Sequence, residues 1–117
     1  MQTADPRNHD IVIYVNGSLL PRRDAKISVF DSVVQGGDAV WEGLRVYNGG
    51  IFCLDKHLNR LHESAHALAF TDIPSKEKIK QSIFQTLEAN GMRDEAHIRL
   101  TLTRGEKVTS GMDRLII

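Results

Sequence analysis

Residues 43–54 read GLRVYNGGIFCL, and this stretch decides the fold class. Strand-forming residues stand on both sides of Asn48-Gly49-Gly50, and an Asn-Gly turn between two such runs is typical of a β-hairpin. Alternation along the first run places Leu44 and Val46 on one face of the strand and Arg45 on the other. The sequence therefore predicts an antiparallel hairpin with one apolar face.

The same signals predict further strands. Asn16-Gly17 lies between strand-like residues over 11–21, which indicates a first hairpin. Residues 96–103 alternate strictly between polar and apolar, as a half-buried strand does. The polar face of that strand carries His97, Arg99, Thr101 and Thr103, and a short closing strand is predicted at Arg114–Ile117.

Two amphipathic helices are predicted between the hairpins and the last strand. Asp55 can cap the first, which runs from Lys56 to about Phe70, and Ser75 can cap the second, which Asn90-Gly91 ends. The predicted buried stripes are Leu58, Leu61, Ala65, Leu68 and Ala69 on the first, and Ile79, Ile83, Phe84 and Leu87 on the second. The fold class is therefore α+β, a mainly antiparallel sheet of hairpins with two amphipathic helices packed on one face.

Composition indicates one ordinary domain. The chain has 117 residues, of which 41% are hydrophobic, and Cys53 is its single cysteine, so no internal disulfide can form. Fifteen Lys plus Arg balance fifteen Asp plus Glu, which gives no basic excess to bind nucleic acid. No membrane-spanning run or signal-peptide core is present. We expect a cytoplasmic protein without a membrane or nucleic-acid partner, with a flexible arm at residues 1–10 and the domain at 11–117.

His62-Glu63-Ser64-Ala65-His66 matches the H-E-x-x-H pattern of zinc hydrolases, in which two histidines one helical turn apart share a metal ion. On the predicted helix, however, His66 points further toward solvent than His62. The alternative is two surface histidines without a metal, and we favour it.

Two arginines are candidates for binding an anion. Arg60 lies on the helix flank of His57 and Ser64, where its planar guanidinium could hold a phosphate. The alternative is an ion pair with Glu63 or an aspartate. On the last strand, Arg99 and His97 could bind a carboxylate, or their face could simply be solvated.

Several segments, taken in order, resemble the N-terminal, smaller domain of the class IV aminotransferases. This family includes branched-chain and D-amino acid aminotransferases and aminodeoxychorismate lyases. The resemblance spans about Ile13 to Gly105. It rests on Tyr14-Val15-Asn16-Gly17, Ser28-Val29-Phe30-Asp31, the run from Gly37 to Gly49, Leu54-Asp55-Lys56-His57-Leu58-Asn59-Arg60-Leu61, Ser64-Ala65 and the run from Ile98 to Gly105.

The resemblance implies pyridoxal 5′-phosphate as cofactor, an electron sink for chemistry at the α-carbon of an amino acid. It implies that Arg60 contacts the cofactor phosphate and that Arg99, as in branched-chain-type members, binds the substrate carboxylate. His97, the second candidate for substrate binding, stands where such enzymes often carry a tyrosine. We expect the two guanidinium groups to face one shared concavity. Gly36 stands where the family commonly has an aromatic residue that faces the substrate.

The resemblance also places the Schiff-base lysine in a second domain, which would follow residue 117, so we assign no catalytic residue within the chain. None of Lys26, Lys56, Lys76, Lys78, Lys80 and Lys107 occupies the family position. We therefore expect a truncated homologue, inactive alone, that binds pyridoxal phosphate weakly or not at all. A non-catalytic interaction module is the alternative, one that self-associates as a homodimer or binds a full-length relative.

Overall fold

A computed structural model describes residues 5–106 of the chain. Strands and α-helices follow one another in the order that the sequence predicts, with one short additional α-helix and two turns of 3₁₀ helix at Pro6–Asn8 and Arg22–Asp24. The strands are β1 (Val12–Val15), β2 (Ser18–Pro21), β3 (Ala39–Tyr47), β4 (Gly50–Ile51) and β5 (Ala96–Thr103), and the helices are α1 (Ser32–Gly36), α2 (Leu54–Ala67) and α3 (Lys76–Asn90). The closing strand predicted at Arg114–Ile117 lies outside the described residues.

The strands form two antiparallel sheets, β1-β2 and β4-β3-β5, where a single sheet of hairpins was expected. Both predicted hairpins are present. In β1-β2 the turn residues Asn16 and Gly17 have φ values of 53° and 93°, which an Asn-Gly turn accommodates readily. The long pairing is between β3 and β5, and it places Arg99 opposite Gly43 and His97 opposite Arg45. The α+β class is confirmed.

The core lies between the β4-β3-β5 sheet and the two long helices. Leu44 on β3 and Leu58 on α2 are 0% exposed, and Ile83 brings α3 into the same cluster. Burying side chains of this size stabilises the fold by about 1.5–3 kcal/mol each. Both helices therefore pack on one face of the sheet, as the amphipathic patterns predict.

The start of α2 differs from the prediction. Its N-cap is Cys53, in the left-handed region with φ 53°, and the Cys53 side chain makes no capping hydrogen bond. Asp55 lies in the first turn instead, where its carboxylate accepts a bond from Lys80 Nζ at 2.7 Å. At the other end α2 stops at Ala67, since Ala69 takes a φ of 58°, so the helix does not reach Phe70. Leu68 is consequently 43% exposed.

The second long helix agrees more closely with its prediction. Ser75 is its N-cap and accepts a bond from the Lys78 N–H, and Gly91 ends it with φ 60°. Phe84, expected on the buried side, is 49% exposed, whereas Ile79 and Ile83 of the same helix belong to the buried core.

Side-chain hydrogen bonds tie the outlying segments to this framework. The amide of Asn90 accepts from Val12 N at 2.7 Å and donates to Val12 O at 2.9 Å, so it pairs with β1 as a neighbouring strand would. Residues 6–8 form a turn of 3₁₀ helix, and mobility of residues 1–10 stays a prediction. None of the helices within residues 5–106 has the length and apolar character needed to cross a membrane.

The segment before β3 contains the short helix α1. Asp31 caps α1 by accepting from the Val33 N–H, and Gly37 ends it with φ 74°. The hydroxyl of Ser32, 0% exposed, donates to Asp38 O and accepts from Arg104 N. These bonds fix α1 against the end of β5.

Candidate functional site

Arg60 lies against a buried carboxylate. Its side chain rises from α2 beside β3, where its Nε lies 3.0 and 2.9 Å from the two Glu42 oxygens and its Nη2 lies 2.6 Å from Oε1. His57, one helical turn earlier, places Nδ1 2.7 Å from the same Oε1. Arg60 therefore forms an ion pair, but its partner is neither Glu63 nor an aspartate.

The pair joins a buried group to an exposed one. The side chain of Glu42 is 5% exposed and that of Arg60 is 64% exposed. The hydrogen bonds from Arg60 lower the pKa of the Glu42 carboxyl below its ordinary value, burial opposes this shift, and the bond from His57 adds to it. Glu42 is therefore ionised at neutral pH. An ionised carboxylate only accepts hydrogen bonds, so His57 Nδ1 carries the proton.

Arg99 and His97 lie on the other face of the sheet. Arg99 stacks on Trp41, with its Cζ 4.1 Å from the ring centroid, which is a cation–π arrangement. His97 lies over Gly43, so close that a Cβ on Gly43 would come within 3.1 Å of His97 Nε2. Glycine at residue 43 thus lets the imidazole approach the backbone of β3. The side chains of Trp41, His97 and Arg99 are all exposed.

The two arginines do not share a concavity within residues 5–106. Glu42 and Trp41 are neighbours on β3, and neighbouring residues of a strand point to opposite faces. Arg60 is bound to Glu42 and Arg99 is stacked on Trp41, so the two guanidinium groups lie on opposite sides of the sheet. The expectation of a single concavity was therefore wrong for this part of the chain. It failed because it placed each arginine on an element without fixing which face that element presents.

One edge of β3 lies between Arg60, on one face of the sheet, and Arg99, on the other. β4 pairs with β3 only at Val46 and Tyr47, whereas β5 pairs with it over Ala39–Val46 on the other side. Along residues 39–44 one edge of β3 thus has no strand beside it in the described part of the chain. A single ligand that contacts both arginines has to pass around a sheet edge, and this edge adjoins both Glu42 and Trp41.

The H-E-x-x-H histidines make other contacts. His62 Nε2 lies 2.9 Å from Pro74 O, and the His62 and His66 rings are 6.4 Å apart between centroids at an angle of 76°. Across residues 5–106, no three His, Cys, Asp or Glu side chains converge as metal ligands would.

Glu42 and Trp41 are the site residues that sequence reasoning missed. A signal for Glu42 was present, since an acidic residue between Val40 and Leu44 occupies a core position of the strand. A carboxylate there requires a hydrogen-bonding partner. The sequence gives no such signal for Trp41, because aromatic residues are common on strands and do not by themselves indicate a binding site.

Gly36, the last residue of α1, leaves open space. A Cβ at this position would meet no atom within 4 Å. The backbone at this position therefore accommodates a Cβ without a clash, as any residue other than glycine would require.

The described residues thus form a three-stranded sheet that is covered by helices on one side and carries cationic and aromatic side chains on the other. The family model for amino-transferase class IV matches residues 39–115, and the chain belongs to this family. Branched-chain-amino-acid aminotransferase-like protein 1 of Arabidopsis thaliana is 61% identical over 107 residues, which are 92% of this chain and 19% of the relative. A putative branched-chain-amino-acid aminotransferase of Methanocaldococcus jannaschii is 47% identical over 94 residues, 80% of this chain and 32% of the relative.

A solved structure agrees with the fold. The branched-chain amino acid aminotransferase from Escherichia coli matches with a TM-score of 0.77 and 28% identity. The match covers 90% of this chain and 36% of that one. The chain thus spans about a fifth to a third of the length of these proteins. The resemblance inferred from the sequence motifs is confirmed at the level of family and fold.

Proposed function

We propose that this chain provides the small-domain part of a pyridoxal 5′-phosphate-dependent site that transfers an amino group between an amino acid and a 2-oxo acid. The observation that carries the proposal is that Arg60 of α2 and Arg99 of β5 contact adjacent residues of β3. One arginine is held by Glu42 and the other by Trp41. Branched-chain and D-amino acid substrates both remain open under this proposal.

The residues fit an anionic cofactor. Arg60 bonds to Glu42 through Nε and Nη2, and among residues 5–106 no other group bonds to its guanidinium. The N–H groups on Nη1 and the outer N–H of Nη2 can therefore meet a phosphate. The cofactor, when bound, would supply an electron sink for chemistry at the substrate α-carbon. Arg99 and His97 would bind the substrate carboxylate on the other face, with the Trp41 ring as a wall.

The 117 residues by themselves are proposed to bind the cofactor weakly and not to turn over. High affinity requires several donors that converge in a closed pocket, whereas Arg60 is 64% exposed. Related proteins are about two and a half to five times as long, as the coverage of 19–36% shows, and the resemblance places the cofactor-binding lysine in their additional part. Salt at about 1 M should abolish binding, since it shortens the screening length to about 3 Å.

Titration with pyridoxamine 5′-phosphate and with pyridoxamine tests the phosphate role of Arg60. Neither ligand has an aldehyde, so neither reacts with surface lysines. We expect only the phosphorylated ligand to bind, and we expect the substitution Arg60→Met to remove that preference. Equal affinity for both ligands would contradict the proposal.

Turnover needs a separate assay. The chain is incubated with pyridoxal 5′-phosphate, an amino acid and a 2-oxo acid, and is then treated with borohydride. We expect no amino-group transfer and no stoichiometric labelling of one lysine. Labelling of a single lysine together with turnover would show that the chain is an active enzyme.

A second candidate function is self-association, and exposed apolar side chains favour it. Ile27, Val29, Phe30 and Val34 are each more than half exposed and lie within eight residues of each other. Surfaces of this kind often bind partners. Sedimentation at tens of micromolar should detect a dimer, whereas a strictly monomeric species would argue against this role.

A further inference from the structure

Glu42 occupies a position at which an apolar residue would continue the core. Its neighbours on the same face of β3 are Val40, 7% exposed, and Leu44, 0% exposed. Placing a carboxylate among such residues carries a desolvation cost. The cost is offset by bonds from Arg60 Nε and Nη2 and from His57 Nδ1, all between 2.6 and 3.0 Å.

The burial of the two partners is unequal. Glu42 is 5% exposed, whereas Arg60 is 64% exposed. An ion pair that serves stability alone gains little from this arrangement, because replacing such buried charges with apolar residues is often neutral or stabilising. What the arrangement does provide is a fixed orientation for a long, exposed side chain that would otherwise sample many rotamers.

The orientation is defined by which donors are used. Glu42 bonds to the side of the guanidinium formed by Nε and Nη2, and this contact sets the plane of the group. The end of the guanidinium at Nη1 then points away from the core. A phosphate dianion prefers two parallel donors from one planar group, and this end still offers such a pair.

We propose that Glu42 is a positioning residue, whose buried carboxylate fixes Arg60 so that the outer end of its guanidinium is ready for a phosphate group. The inference rests on the proposed function, in which Arg60 binds the cofactor phosphate. His57 holds the second position on Oε1, at 20% exposure, and thereby keeps the carboxylate turned toward Arg60. Preorganisation of this kind improves affinity by removing the cost of ordering the side chain on binding.

The substitution Glu42→Gln tests the inference, and Glu63→Gln, at an exposed residue on the helix that carries Arg60, is the matched control. Ordering one long side chain costs about 0.5–1.5 kcal/mol, so we expect Glu42→Gln to weaken pyridoxamine 5′-phosphate binding up to about tenfold. The control should bind like the wild type. A second readout needs no ligand: the NMR signal of the Arg60 Nε–H should exchange slowly with water in the wild type and rapidly in Glu42→Gln.

Arg60→Lys separates positioning from a general effect on folding. Lysine keeps the charge but can make neither the side-on contact with Glu42 nor the paired contact with phosphate, so the affinity of Arg60→Lys should fall at least as far as that of Glu42→Gln. Adding Glu42→Gln to Arg60→Lys should then cause no further loss. If Glu42→Gln weakens binding as much in the Arg60→Lys background as it does in the wild-type background, the inference is overturned, because Glu42 would then be acting through something other than Arg60.

The remaining outcomes separate the two proposals. If the wild type binds and Glu42→Gln binds equally well or more tightly, positioning is refuted while the phosphate role of Arg60 stands. An unchanged Arg60 Nε–H exchange rate in Glu42→Gln refutes positioning as well. If the wild type shows no preference for the phosphorylated ligand, the proposed phosphate role of Arg60 is refuted. The positioning role of Glu42 depends on that role and is then refuted as well.

Discussion

Replacing Glu42 with leucine tests whether its carboxylate serves stability or orientation. The side chain is 5% exposed and lies between Val40 and Leu44, so leucine would continue the apolar face of β3. Burial of a leucine contributes about 1.5–3 kcal/mol. The loss of the hydrogen bond to His57, which is 20% exposed, costs about 1–2 kcal/mol, and Arg60 regains water. We expect the free energy of unfolding of Glu42→Leu to lie within about 1 kcal/mol of the wild-type value near pH 7, or slightly above it.

The pH dependence gives the same substitution a second readout. Arg60 lowers the pKa of Glu42 in the folded state, so the ionised carboxylate contributes stability above the pKa of the unfolded chain. That contribution is lost as the pH falls through the lowered pKa. In Glu42→Leu it is missing at every pH, so the variant should gain stability relative to the wild type on acidification.

Urea denaturation at a series of pH values from about 7 to about 3 measures both effects, with Glu63→Leu as control for a leucine on the surface. A loss above about 3 kcal/mol near neutral pH would refute the reasoning, because the carboxylate would then be essential to the core. If the free energy of unfolding falls by the same amount on acidification in the wild type and in Glu42→Leu, the reasoning is also refuted.

Two further predictions concern the framework that positions the site. Leu58→Ala should destabilise the fold by about 2–5 kcal/mol, since Leu58 is 0% exposed, whereas Leu68→Ala, at 43% exposure, should cost under about 1 kcal/mol in the same urea titration. Asn90→Ala should cost about 1–3 kcal/mol and expose the Val12 amide to hydrogen exchange, because the Asn90 side chain bonds to both backbone groups of Val12. Protection of Val12 that survives this substitution would contradict the role of Asn90.

The elements that could be predicted from the sequence are those fixed by local chemistry. The turn at Asn16-Gly17, the cap at Ser75 and the stop at Gly91 depend on residues within a few positions of each other, and all three are confirmed. The start of α2 is different. There the N-cap is Cys53, two residues after the end of β4 and in a left-handed conformation. Asp55 already lies inside the first turn of the helix and therefore cannot cap it.

The site was predicted less completely because its contacts join distant parts of the chain. The motifs indicated Arg60 and Arg99, but the contacts between Glu42 and Arg60 and between Trp41 and Arg99 span 18 and 58 positions. No local pattern encodes such pairs. Only the acidic residue at a core position of β3 gave a sign that a partner must exist.

The two arginines depend on one strand for their positions, and strand geometry explains why they lie on opposite faces. Trp41 and Glu42 are adjacent, so the pleat sends one side chain toward Arg99 and the other toward Arg60. A shift of β3 by one residue would exchange the faces, bury Trp41 under α2 and expose Glu42. The apolar residues Val40, Leu44 and Val46 prevent this shift, since it would move all of them into water. The same apolar alternation that forms the core therefore fixes the register of both proposed anion contacts.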